Sequence, residues 1–118
     1  MLEQFPLLYL ARRDAYAAFL TAADAESNVA WFRTDGRYED EVQAVAAVDR
    51  AYAGTRAAFN VIEVEGAGPV TEARALLERL AGLHKDGGAE PDWKDVKTAR
   101  EAFVSAAQAD LTAMRGNA

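Results

Sequence analysis

Alanine fills 27 of the 118 positions, and the larger apolar residues between them recur at steps of three, four and seven. Alanine gives up no side-chain entropy in a helix and is the strongest helix former. The three prolines, Pro6, Pro69 and Pro91, stand where helices can begin, the place a missing N–H is tolerated. The chain is therefore predicted to be all-α. With 51% hydrophobic and 27% charged residues it has enough apolar surface to offset chain entropy. At 12.8 kDa, folding should leave about 6,300 Å² of roughly 18,600 Å² exposed, which suits one domain over residues 1–118.

Four helical segments follow from the periodicity. The first runs from about Pro6 to Arg33 with Tyr9, Tyr16, Phe19, Leu20, Ala23, Ala30 and Trp31 in register, and Thr34-Asp35-Gly36 breaks it. The second runs from about Tyr38 to Val61 on a stripe of Val45, Val48, Tyr52, Thr55, Phe59 and Ile62. Glu39, Asp40 and Glu41 stand in its first turn, complementing the helix dipole. Val61-Ile62-Glu63-Val64-Glu65 alternates like a strand but has no partner strand, so it is predicted to be a fraying helix end. Gly66-Ala67-Gly68-Pro69 opens a third helix from Pro69 to His84, closed by Gly87-Gly88. Asp92 caps a fourth, with Trp93, Val96, Phe103, Val104, Ala107, Leu111 and Met114 in register and Gly116 at its end. Short connections between such helices predict an antiparallel up-down-up-down four-helix bundle with two long N-terminal helices. Those two helices could also protrude as a hairpin beyond a four-helix base.

Several function classes fall away on composition. The chain has no cysteine, so it forms no disulfides, thiolate centres or cysteine-based metal sites, which fits a reducing compartment. A net charge of −6 with no basic cluster beyond Arg12-Arg13 argues against nucleic acid, whose binding requires cations to displace counterions. The apolar run at the start is far shorter than the roughly 20 residues of a membrane span, and Glu3 stands where a signal peptide is basic. A cytoplasmic location without a membrane span is expected.

Catalytic patterns are equally sparse. His84 is the single histidine, and it falls at a helix end. Its Lys85-Asp86-Gly87-Gly88 surroundings do not match a phosphotransfer bundle, which needs an exposed mid-helix histidine. A diiron bundle needs paired Glu-x-x-His, but Ala81 stands three residues before His84. Asp35, Glu39, Asp40 and Glu41 lack the spacing of a calcium loop. The glycines before Pro69 lack the Lys-Ser/Thr of a phosphate loop, and Ser27 and Ser105 have no nucleophile elbow. No enzyme activity, cofactor or metal is expected.

Aromatic residues carry the remaining information. Tyr16, Phe19, Tyr52, Phe59 and Phe103 are expected in the core, and Tyr16, Tyr52, Phe59 and Phe103 could line a pocket for an apolar ligand. Trp31, Phe32 and Tyr38 flank the first turn and either close that end of the bundle or form a contact patch. In the protruding-hairpin arrangement Phe5, Leu8, Tyr9 and Leu10 lack cover within the chain, and they are expected to form an interaction surface. Asp49 and Arg56, one heptad apart near the apolar face of the second helix, are expected at its rim. The leading expectation is a non-enzymatic helical module that binds a protein partner or associates as a homo-oligomer. An apolar-ligand-binding bundle, or an acidic inhibitor steered to a basic partner, are the alternatives.

Ala11-Arg12-Arg13-Asp14-Ala15-Tyr16-Ala17-Ala18-Phe19-Leu20-Thr21-Ala22-Ala23-Asp24-Ala25 resembles the first helix of uncharacterised helical proteins of high-GC actinobacteria. Gly68-Pro69-Val70 and the run from Ala99 to Ala107 are similar to the third-helix start and last helix of that group. The resemblance covers about a third of the chain, implies a four-helix fold and implies no activity.

Overall fold

The computed structural model describes residues 4–84 and 92–116, with side chains from Pro6 onward. The described residues form four α-helices and no strand: α1 Gln4–Thr34, α2 Glu41–Glu65, α3 Val70–Gly82 and α4 Trp93–Gly116. The chain measures 54 × 23 × 19 Å, a rod whose length is set by the 31 residues of α1, about 46 Å at 1.5 Å per residue.

The caps explain the boundaries. Asp40 is the N-cap of α2 rather than part of its first turn, and its side chain accepts a 2.8 Å hydrogen bond from the Gln43 N–H. Asp92 accepts in the same way from the Asp95 N–H at 3.1 Å. The alternating segment 61–65 is regular helix, because Gly66 ends α2 in the left-handed region, φ 71°, and donates its N–H to the Ile62 carbonyl. Pro69 precedes α3 rather than entering it, and its carbonyl accepts the Ala73 N–H. α3 stops at Gly82, so His84 lies beyond its last turn.

Helix α1 packs against each of the others, α2 against α3, and α3 against α4. Three levels of contact join α1 to α2: Arg12 with Glu65, Ala22 with Thr55, and Arg33 with Glu41. Three more join α1 to α4: Arg12 with Asp110, Asp24 with Arg100, and Trp31 with Trp93. The core centres on Phe19, whose ring lies 5.0 Å from that of Phe103 and 6.3 Å from that of Phe59. Ile62, Leu76, Leu77, Leu80 and Val96 close around them. Each such side chain contributes about 1.5–3 kcal/mol by leaving water. Trp31 and Val45, expected on the core stripes, are exposed, and Tyr9 and Tyr52 are half-buried outside the core cluster, since the 13 residues of α3 cannot span the length of α1 and α2.

Candidate functional site

Among the described residues, the exposed large apolar side chains all lie on α1 and α2. In the first turns of α1, Leu7 is 70% exposed and Leu8 43%, with Leu10 also exposed. Tyr9 is half-buried, with the Arg115 guanidinium 5.8 Å from its ring centre. Phe5 lies outside the described side chains. Leu8 meets Val61, itself 58% exposed, across a cleft of about 90 Å³ that Ala11, Arg12 and Glu65 also line. A second, larger groove of about 540 Å³ runs between α1 and α2 near their turn, lined by Ala22, Ala25, Val29, Ala47, Ala51 and Gly54 with Tyr38 and Arg50 at its edges. Alanine and glycine at these positions let α1 and α2 approach closely. The buried Thr55 hydroxyl, 3.1 Å from both the Ala22 and Ala51 carbonyls, bridges that approach.

The aromatic residues near the turn separate. Trp31, 46% exposed, packs edge-on against Trp93 at 5.7 Å, whereas Tyr38 borders the groove and Phe32 lies under the Arg37 guanidinium. The acidic residues of the same turn are engaged locally. Asp35 pairs with Arg37, Glu41 with Arg33, Glu39 accepts from Gln43, and Asp40 caps α2.

Of the four aromatic residues named for a ligand pocket, Tyr52 and Phe59 share a cleft of about 210 Å³ that Arg56, Glu63, Arg74 and Glu78 also line, whereas Tyr16 and Phe103 lie apart from it. Tyr16 and Phe103 meet edge-to-face at 6.0 Å and, with Phe59, belong to the packed core. Tyr52 is half-buried and turns instead toward His84. The Tyr16 hydroxyl donates a 2.7 Å hydrogen bond to Asp110. Burial first, and then that bond, push its pKa well above the ordinary tyrosine value. Arg12 completes the cluster by reaching both Asp110 and Glu65, which ties α1 to α2 and α4 at one level. Asp49 and Arg56 are exposed at the rim.

One buried site escapes the sequence reading. His84 Nε2 lies 2.6 Å from Glu26 Oε2, with the His84 side chain 3% exposed and that of Glu26 0%. The ring of Tyr52 stands edge-on to the imidazole at 5.8 Å. Glu26 Oε1 is buried without a hydrogen-bond partner among the described residues. The single histidine is thus a buried partner of an acid rather than a solvated helix terminus. A signal for it exists: Glu26 falls in register with Phe19, Ala23 and Ala30 on the core face of α1.

Among the described residues no three His, Asp or Glu side chains gather as a metal site, and no helix is long and apolar enough to cross a membrane. Compared with family models, curated proteins and solved structures, the chain matches none.

Proposed function

We propose that this chain is a non-enzymatic helical interaction module, built as an antiparallel up-down-up-down bundle and acting in the cytoplasm. It presents the first turns of α1 and the adjoining outer face of α1 and α2 to a protein partner or to a second copy. The observation that carries this reading is the exposed apolar cluster of Leu7, Leu8 and Val61 beside an apolar cleft. Large apolar side chains gathered at one place on a small acidic protein mark a contact surface, because leaving them in water forfeits about 25 cal/mol per Å². The bundle arrangement is supported by the ladder of pairs from Arg12–Glu65 to Arg33–Glu41. The packing of Tyr16, Phe59 and Phe103 into one core favours this reading over an enclosed ligand pocket.

Replacing Leu7 and Leu8 together by Ser tests the reading. Both side chains are exposed, so helicity by circular dichroism stays unchanged. Self-assembly by light scattering, or affinity capture of a partner, falls at least tenfold. A variant that assembles and captures as the parent does would remove this surface from consideration.

A further inference from the structure

We infer that the cleft between α2 and α3 is a binding site for a small zwitterion, an α-amino acid with an apolar side chain. The site is separate from the leucine surface and does not depend on the interaction reading above.

The cleft carries charge on both walls: Arg56 and Glu63 stand on α2, and Arg74 and Glu78 on α3. Two of the four are matched. Arg74 reaches across to Glu63 at 2.9 Å, with its guanidinium 5.7 Å from the centre of the Phe59 ring, and this pair closes one end of the cleft.

That pairing strands the other two. Arg74 stands one turn before Glu78 on α3, a natural partner for it, but the guanidinium is turned to Glu63 instead. Arg56 has no acid within a turn of it on α2, because Asp49 and Glu63 are each seven residues away. Among the described residues neither Arg56 nor Glu78 forms an ion pair.

The two free charges also stand apart from each other. The contacts Glu63–Arg74 and Tyr52–His84 run α2 and α3 antiparallel, which sets Arg56 level with Ala81 and Glu78 level with Phe59. Their offset is about three residues, about 4.5 Å, on helices whose axes are about 8–10 Å apart. The four charges of the cleft sum to zero, so neither a simple anion nor a simple cation is favoured. A molecule carrying both signs a few ångströms apart is. Its carboxylate takes the fork of the Arg56 guanidinium and its ammonium takes the Glu78 carboxylate, each at about 2.7–2.9 Å.

The wall between the charges sets the rest of the ligand. Tyr52, with Leu77 and Ala81, gives the cleft an apolar side against which an alkyl or aromatic side chain packs. The Tyr52 ring is braced edge-on by His84 at 5.8 Å, and His84 by Glu26 at 2.6 Å. A wall fixed in advance leaves little ordering cost to binding. The volume of about 210 Å³ is that of about seven waters at roughly 30 Å³ each, and lies below the roughly 300–1,000 Å³ of pockets for drug-sized ligands. A single amino acid is of the right size.

The test is titration of the full chain with L-leucine, followed by the amide ¹H–¹⁵N shifts of α2 and α3. The expected result is saturable shifts around Arg56 and Glu78 with a Kd of order 1 mM. N-acetyl-leucine, which lacks the ammonium, and leucinamide, which lacks the carboxylate, each bind roughly tenfold more weakly. Arg56→Gln and Glu78→Gln each weaken leucine by a similar factor. Both side chains are exposed and unpaired, so the urea midpoint of either variant stays at the parent value. Arg50→Gln, an exposed arginine of α2 away from the cleft, leaves binding unchanged. Absence of saturable shifts at fifty times the expected Kd overturns the inference, and so does N-acetyl-leucine binding as tightly as leucine, or binding that survives both variants. Leucyl-leucine, with its charges farther apart, binds more weakly than leucine; tighter binding would overturn the assignment to a single amino acid.

Discussion

Replacing His84 by Phe should cost about 3–5 kcal/mol of folding stability at neutral pH. Phenylalanine keeps a ring of similar size against Tyr52, so little cavity forms. The loss arises because Glu26, whose Oε1 has no partner among the described residues, also loses the Oε2 partner while its side chain remains fully buried. A buried acid stripped of its partner is costly, whereas an apolar pair of similar volume is nearly neutral. Adding Glu26→Met to His84→Phe should therefore recover most of the loss. For a domain of this size, whose whole stability is of order 5–15 kcal/mol, the single change moves the urea midpoint by about 2–4 M. Urea melts of the parent, the single variants and the double variant decide the matter. A His84→Phe protein within about 1 kcal/mol of the parent would show that the pair does not carry this energy.

The pair also shows where sequence reading stops. Helix number and class were legible because alanine content and three-to-four spacing act locally, and the stop at Gly66 and the cap at Asp92 use backbone chemistry that the residue type announces, whereas Asp40 was read one turn too deep because three acids in a row fit a first turn as well as a cap. Segment 61–65 was ambiguous for a physical reason. Five residues of alternating pattern fit a strand as well as a helix, and the left-handed Gly66 decides the outcome by closing the last turn. Glu26 and His84 were not legible as a pair. They stand 58 positions apart, and each has an ordinary solvated explanation when taken alone. The register of Glu26 on the apolar stripe signals its burial, but its partner becomes visible only when the turn after α3 delivers the imidazole to it. The surface residues divide similarly. Leu8 was legible because an apolar run at the start of α1 has few partners within reach. Val61 and Val64 were not, since their exposure depends on where α3 lies. Trp31 and Tyr38, close in sequence, diverge because Trp31 faces α4 and Tyr38 faces the α1–α2 groove.

Gly68→Ala should be nearly as damaging as the loss of His84, at about 2.5–5 kcal/mol, and for a separable pair of reasons. Gly68 holds φ at +75°, where an L side chain costs about 1–2 kcal/mol. A Cβ there would also overlap the Tyr16 hydroxyl and sit 3.1 Å from Asp110 Oδ2. The tyrosine must move, and its 2.7 Å hydrogen bond to Asp110 breaks. A hydrogen bond to a charged group contributes about 1.5–3 kcal/mol. Tyr16→Phe removes the hydroxyl and so removes the second reason. In that background Gly68→Ala should cost only the backbone part, about 1–2 kcal/mol, giving a coupling between the two positions of about 1.5–3 kcal/mol. Chemical melts of the four proteins measure it. If the two substitutions prove additive, the α2–α3 turn is not seated on the Tyr16–Asp110 bond. If they couple as expected, the same bond that joins α1 to α4 also sets how closely the turn before α3 approaches them. The glycine at 68 is then required by contact as well as by its backbone angle.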